Sequence, residues 1–507
     1  MPVRRCEILA ALSLAIDLGL GQPMEHMLRS CLLALRIADR TNANPAERGS
    51  IYYAHLLAWI GCHADSFELA AMFSDDIAFR ADYYTIDQRG LPMYKSFFSH
   101  TGAALPPVQQ AISRTRFALT GRGAVQNLIR SHCTSAGELA RRVGLDENVC
   151  ALLTNTFERW DGKGLPEGRK GPDIPLGTRI TNLAETIEVF LRAAGVQGAV
   201  EMVRKRRGTQ FDPELTDLFC ANAVELTDGL LDQDPWPAAL AAAPEGDLLA
   251  GTELDAVLRA IGDFADLKSP YTTGHSREVA SLAAEAGREH GLAPDGIAVL
   301  RRAGWVHDIG RMGVSNGVWD KKGELSQRDT EHLQMHPYLG ERILSRVPGM
   351  RSVAELVGSH HERLDGSGYP RGLGEQSLNI SQRILAAADS YRTYLEPRPH
   401  RAALSPDGGA ERLLAEVAAG RLDGAAVDAV LVAAGQRRRR PRVLPGGVTP
   451  REAEILKMLC HGMSTADIAG ILFISPKTVR NHVEHIYLKI GASNRVGATL
   501  YAVEHGL

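Results

Sequence analysis

The chain has 507 residues, long enough for more than one folding unit, and its 44% hydrophobic and 23% charged residues are the ordinary balance of a folded globular protein. A net charge of −3 excludes a uniformly basic or acidic binding surface, so any charged partner must be met by a local cluster. Seven scattered cysteines without a C-x-x-C pair exclude a disulfide framework and a zinc knuckle, and no run of about 20 apolar residues points to a membrane span.

Low aromatic content and abundant Ala, Leu and Gly predict a mainly α protein, and the cysteine usage suits a reducing cytoplasm. The N-terminal stretch MPVRRCEILAALSLAIDLGLG sets two arginines ahead of apolar residues, but Asp17 interrupts the run and no small-residue cleavage site follows. It reads as an amphipathic first helix. Further along, ERWDGKGLPEG (158–168) returns as ERLDGSGYPRG (362–372), and TRITNLAE (178–185) returns as QRILAAAD (382–389). Both pairs are offset by 204 residues, which points to duplication of a whole domain. The copies differ in chemistry: Thr156, Phe157 and Glu185 stand in the first where His360, His361 and Asp389 stand in the second.

Pro and Ala enrichment in DQDPWPAALAAAPEGD (232–247) marks one boundary and the basic GQRRRRPRVLPGG (435–447) a second. Three units are therefore expected, at 1–235, 250–435 and 446–507. The second contains His275, the adjacent pair His307 and Asp308, His336, the pair His360 and His361, and Asp389. Each histidine alone is more often structural than a ligand. Together, imidazoles and carboxylates in this number suit first-row divalent metals, and a dinuclear site of that kind activates water for attack on phosphorus.

These motifs, TGHS, HDIG, HP, HHERLDGSGYP and AAAD, resemble in order and spacing an HD-GYP domain, a bacterial branch of the HD phosphohydrolase superfamily. The resemblance covers about 269–434 and implies a helical fold that hydrolyses cyclic di-GMP or a related phosphoester with two divalent ions, iron, manganese or zinc. It implies His275, His307, Asp308, His336, His360, His361 and Asp389 as metal ligands, with Asp308 bridging. His307, Asp308 and Arg311 would form the catalytic set. Arg398 and Arg401 fall where the family binds phosphate, while Gly368, Tyr369 and Pro370, with Gly366, would border the substrate groove. Tyr271 stands where trinuclear relatives carry an acid, which implies two ions, and Arg311 stands in place of the usual lysine. The first unit resembles a degenerate copy: Gln22 is read as replacing the first histidine, Leu165 interrupts the Gly-Tyr-Pro triplet, and His63 and Asp65 are one residue too far apart for an HD pair. It would dimerise or sense a ligand rather than catalyse.

In the last unit, Thr449 with Glu452 forms a capping box, Ser464 and Ser475 are helix caps, and Gly491 is a stop signal. Helix, short turn and helix make a helix-turn-helix whose second helix enters the major groove. The segment TPRE through KTV-x-NHV and K-I-G resembles the LuxR-type DNA-binding domain. That implies a recognition helix from about Pro476 to Lys489, with Arg480, Asn481 and Glu484 toward bases, Lys477 and Thr478 on phosphates, and Val479, Val483 and Ile486 in the core. The last helix, Arg495 to His505, is where such domains form homodimers. The expected fold is all-α: two tandem HD-type domains followed by a LuxR-type bundle, in a regulator whose nucleotide site is coupled to DNA binding. The alternative is a transcription factor that senses a nucleotide through a weakly active or inactive core.

Overall fold

A computed structural model describes residues 2–86, 90–103, 105–246, 248–436, 444–472 and 474–506. The arginine run at 437–442 lies outside the described residues. Helices make up nearly all the regular structure, as expected; the sheet among the described residues is one antiparallel pair, Val3 opposite Leu249 and Arg4 opposite Leu248. Residues 1–436 form one compact unit and 437–507 another.

The two repeats share a continuous core. Leu9, Ile16 and Phe219 of the first belong to the same buried cluster as Val257, Leu300 and Leu385 of the second. The Pro/Ala segment expected to separate them instead forms the helix Pro235–Ala241, begun by the Asp234 carboxylate, with Trp236 buried in that core. The first helix, Arg5–Gly19, is not amphipathic: Ile8 through Asp17 are all buried. A helix apolar on every side belongs inside a core. Asp17, the one charge in that buried stretch, accepts the Met27 amide at 3.0 Å.

The repeats can be registered residue by residue. Asp266 accepts the Ser276 amide at 2.9 Å, as Asp17 does that of Met27. The helices His26–Ala38 and His275–His290 both follow a residue in the left-handed region, Glu25 (φ 77°) and Gly274 (φ 81°). Gly61 and Gly310 each lie against the backbone of a histidine, His132 and His336. Asp17 and Asp266, His26 and His275, and Gly61 and Gly310 are all 249 residues apart, whereas His132 and His336 are 204 apart, so the first copy holds 45 extra residues between Gly61 and His132. That stretch contains the helices Ser66–Phe73, Asp76–Tyr83 and Gly90–His100 and the start of Pro107–Arg142. His26, and not Gln22, therefore occupies the place of the first histidine, and the first copy retains two imidazoles, His26 and His132.

The C-terminal unit has its own core of Ile455, Leu456, Ile468, Val479 and Ile486, with Val483 packed against it. Its helices are Pro450–Cys460, Thr465–Leu472, Pro476–Ile490 and Arg495–Glu504. The Thr449/Glu452 capping box forms, Ser475 accepts the Thr478 amide at 3.1 Å, and Gly491 ends the third helix in the left-handed region. Lys489 reaches back to Glu452 at 2.6 Å, tying the third helix to the first.

A side chain at position 310 would overlap the carbonyl oxygen of His336, because the segment after His307-Asp308 crosses the start of the helix His336–Leu344 at backbone contact. Gly310→Ala is expected to destabilise the 1–436 unit by about 1–3 kcal/mol, the usual cost of overpacking, read as a lower melting temperature.

Candidate metal centre

Five elements bring the ligand candidates together. His275 opens the helix His275–His290; His307 ends the helix Pro294–Val306; His336 opens His336–Leu344; His360 and His361 follow Arg351–Val357; and Asp389 lies within Ile380–Leu395. The Nδ1 atoms of His307, His336 and His360 lie 2.9, 2.6 and 2.6 Å from the carbonyl oxygens of Gly304, Leu333 and Val357. A carbonyl oxygen only accepts, so each Nδ1–H donates and each Nε2 turns a lone pair inward. His275 is oriented differently, with Nδ1 3.0 Å from Glu396.

Inside, the acceptors converge. Nε2 of His307 is 3.3 Å from Nε2 of His275, and Nε2 of His336 is 3.3 Å from Nε2 of His360. Asp308 lies between these pairs. Its Oδ2 is 3.4 Å from His307 Nε2 and 3.8 Å from His275 Nε2, while its Oδ1 is 3.5 Å from His336 Nε2 and 3.9 Å from His360 Nε2. Asp389 adds Oδ1 at 3.2 Å from His275 Nε2 and Oδ2 at 3.8 Å from His361 Nδ1. Two groups suited to a metal ion result, His275 with His307 and Asp308, and His336 with His360 and His361. Converging lone pairs and carboxylates are the donor set of a cation site, so the residues fit bound divalent metal.

The electrostatics of Asp308, His336 and His360 agree with this, whereas His275 is held protonated by its carboxylate partners. Burial would raise the Asp308 carboxyl, yet Arg311 and the surrounding imidazoles hold it well below the usual carboxylate range. Burial and the neighbouring imidazoles push His360 down to about 3; burial likewise takes His336 down to about 4, against the pull of Asp308. Both are neutral, as a ligand must be. For His275 burial acts downward too, but hydrogen bonds to Asp389 and Glu396 outweigh it and raise the ring to about 10.

Arg311 donates to Asp308 Oδ2 at 2.6 Å, and its guanidinium carbon lies 3.7 Å over the Trp319 ring. Arg398 donates to Glu396 at 3.0 Å and to the Tyr271 carbonyl at 2.9 Å, beside the centre. Arg401 does not face the centre: its guanidinium donates to the carbonyls of Thr393, Tyr394, Glu396 and Ala402, closing off the end of the helix Ile380–Leu395. Helix-end carbonyls have no partner within the helix and take the nearest cation. Around the Gly-Tyr-Pro turn, Glu362 accepts the amides of Arg371 and Leu373 at 2.8 Å each, and a side chain at Gly368 would strike the Glu362–Arg363 backbone. Tyr369 is thereby held against His361, ring centroids 4.8 Å apart. His361 is one-fifth exposed whereas the other histidines of the centre are closed off, so this side is the open one.

Glu396 and Trp319 were not picked out from the sequence. Glu396 follows Asp389 by seven residues, two helical turns, which is the spacing that places a second carboxylate on the same face. Trp319 leaves no such trace.

A helical frame closed around an adjacent His-Asp pair, further histidines and a distal aspartate defines a metal-dependent phosphohydrolase. Known proteins agree: the family model for the HD domain matches residues 97–215 and 259–426, and that for bacterial regulatory proteins of the luxR family matches 447–502. The 3'3'-cGAMP-specific phosphodiesterase 3 of Vibrio cholerae is 30% identical over 413 residues, 79% of this chain and 88% of that protein. A cyclic di-GMP phosphodiesterase of Thermotoga maritima is 35% identical over 147 residues, 29% of this chain and 39% of that one. The crystal structure of a cyclic GMP-AMP specific phosphodiesterase of V. cholerae superposes with a TM-score of 0.60 at 26% identity, over 86% of this chain and 99% of the other. The chain belongs to the HD-domain family, as an HD-GYP protein joined to a LuxR-family helix-turn-helix domain.

The first copy keeps the frame without the donors. By the register above, Ala58 and Trp59 stand for His307 and Asp308. Trp59 packs on Phe157 at 5.2 Å and on Tyr84 at 5.4 Å between ring centroids, filling the space with aromatic surface. His132 has its Nε2 on the Ala58 carbonyl at 3.0 Å, and His26 pairs with Glu188 at 2.5 Å. Among the described residues no metal-ligating group forms there. Glu185, in the place of Asp389, is pushed up to about 8 by burial, and Tyr84 donates to it. The native state thus holds a proton that the unfolded chain releases near its ordinary value of 4.5, so this group's contribution to stability is present below that pH and is lost as pH rises toward about 8. Glu185→Gln, which keeps an acceptor for Tyr84 and cannot ionise, is expected to gain stability relative to the wild type between pH 5 and 8.5, read as a widening difference in melting temperature.

Proposed function

We propose that the second copy hydrolyses a phosphodiester bond of a cyclic dinucleotide and that the C-terminal unit binds DNA in a manner dependent on that ligand. The carrying observation is Asp308, whose two oxygens serve two separate groups of imidazoles and so suit the bridge of a dinuclear centre. Iron, manganese or zinc fits this mixture of imidazole and carboxylate. Bound there, two such ions supply hydroxide at neutral pH and neutralise charge developing at phosphorus. The chain's residues do the rest: Arg311 and Arg398 offer N–H groups to phosphate oxygens beside the centre, and Tyr369 borders the open side where a base stacks. The relative that aligns over most of the chain is named for 3'3'-cGAMP and a shorter match for cyclic di-GMP, which favours a 3',5'-linked cyclic dinucleotide. The alternative, a regulator that binds such a nucleotide without turning it over, draws support from Arg401, whose guanidinium is engaged by backbone.

In the C-terminal unit Lys477, Thr478, Arg480, Asn481 and Glu484 are all exposed on the helix Pro476–Ile490, while Val479 and Ile486 are buried beneath them. This division suits a recognition helix, with Lys477 and Thr478 toward phosphates and the others toward base edges. Val496, Leu500 and Val503 form an exposed apolar stripe on the helix Arg495–Glu504, the face we assign to homodimer formation on paired half-sites.

Metal analysis of anaerobically purified protein beside hydrolysis of 3'3'-cGAMP and cyclic di-GMP is expected to show about two ions per chain and turnover of at least one nucleotide. Both His307→Ala and Asp308→Ala should abolish turnover, with Asp308→Ala losing more metal because it serves both groups. Bound metal with no turnover of either nucleotide overturns the hydrolase reading and leaves the sensing one. On DNA, Arg480→Ala is expected to cost about 1–3 kcal/mol and relax base preference at one position, whereas Lys477→Ala weakens binding evenly and lowers the salt slope by about 1. Anisotropy titrations with and without saturating 3'3'-cGAMP test the coupling; identical affinities refute it.

A further inference from the structure

The extra segment of the first copy reaches into the second. Its helix Ser66–Phe73 ends at Ser74, a non-glycine residue in a positive-φ conformation (φ 70°), and the chain turns there into Asp75 and Asp76. Such a backbone persists only where the surroundings hold the turn. It delivers Asp76, fully buried, to the loop that follows the His307-Asp308 motif. Asp76 Oδ1 accepts the Ser315 hydroxyl at 2.9 Å and the Asn316 amide at 2.8 Å; Oδ2 accepts Arg80 at 2.8 Å and Lys268 at 3.4 Å. The Ser74 carbonyl also lies against Gly317 so closely that no side chain fits there.

These contacts fix the short helix Asn316–Trp319 at its start. Asn316 extends the network, donating to the Lys268 carbonyl and to Asp320 at 2.6 Å each. At the other end of the same turn, Trp319 lies between two residues of the metal centre. Its ring is 3.7 Å from the Arg311 guanidinium carbon and 5.4 Å from the His336 ring centroid. Arg311 in turn donates to Asp308. The path from Asp76 to the bridging carboxylate thus consists of one hydrogen-bonded turn, one indole and one guanidinium.

We propose that Asp76 is a positioning residue for the second copy's centre: it holds the helix Asn316–Trp319 so that the Trp319 indole keeps the Arg311 guanidinium on Asp308. This gives the degenerate repeat a task in catalysis that needs no ligand of its own, and the inference rests on the hydrolase reading only for its kinetic consequence. A guanidinium stacked on an indole face is restrained to one plane, whereas a free arginine samples many rotamers. Displacements of about 1 Å at a reacting centre cost up to about 100-fold in rate.

The test uses the full-length protein. Asp76→Ala, and Trp319→Leu as a second variant should the first fold poorly, are expected to lower kcat about 10- to 100-fold with KM little changed and bound metal retained. In an Arg311→Lys background, where the ammonium lacks the planar stack, Asp76→Ala should cost nothing further. Arg346→Ala breaks another contact between the repeats, with Glu25, Asp234 and Trp236, and should leave kcat unchanged. An arginine-labelled NMR spectrum reads the stacking without turnover: the ring-current shift of Arg311, assigned by its loss in Trp319→Leu, should disappear in Asp76→Ala. Persistence of that shift in Asp76→Ala overturns the proposal, as does its loss with kcat unaltered in an active enzyme. A wild type that shows the shift but hydrolyses neither nucleotide refutes the hydrolase reading alone, and the spectrum still decides whether Asp76 holds Arg311.

Discussion

Four buried imidazole nitrogens and two carboxylates face one another at separations of 3.2 to 3.9 Å. Lone pairs and anions so placed repel and are poorly solvated, so the arrangement is favourable only around cations. Much of the second repeat serves to hold it. Backbone carbonyls at helix ends set three rings, Glu396 sets the fourth, and Arg311 and Arg398 supply positive charge at the border. Asp308 is central because each of its oxygens faces a pair of imidazoles, one pair in each half, while Asp389 reaches His275 in one half and His361 in the other.

The repeats show what happens when that constraint is lifted from one copy. Both keep the buried aspartate that accepts an amide at the start of the following helix, His26–Ala38 or His275–His290, the left-handed entry into that helix and the glycine that lets one segment cross another. These are backbone requirements and do not depend on metal. In the first copy Trp59 and Phe157 replace donors with apolar surface, and its remaining histidines turn to a carbonyl and a carboxylate. The exchange suits stability, since buried rings contribute through area while an unoccupied donor cluster costs. The extra segment then adds a buried ionic network, Asp76 with Arg80 and Lys268, that joins the repeats instead of leaving them as separate domains.

The helical class, the duplication and the caps of the C-terminal helices were all legible in the chain, as were the seven candidate ligands that the fold brings together. They depend on local spacing or on residue chemistry confined to short motifs. The misreadings have particular causes. The 45-residue insertion shifts the repeat offset, so His26 was hidden and Gln22 taken in its place. Arg401 has the charge to bind phosphate, but the end of its own neighbouring helix claims it first. The first helix carries charges at its ends that imitate amphipathicity, although the core of two repeats closes around it.

The sequence by itself determined the elements and the chemistry available: helices, caps, two copies of one frame, and the adjacent His-Asp and His-His pairs in one copy only. Periodicity and residue type are local properties, and they survive being read along a line. Only the tertiary structure decided that the repeats share one core, that Asp308 divides its two oxygens between two groups, and that an insertion in the silent copy braces an indole against the active one. Those outcomes depend on contacts between residues far apart in the chain, as between Asp76 and Asn316, 240 positions apart, where packing and directional hydrogen bonds, rather than spacing, select the partner.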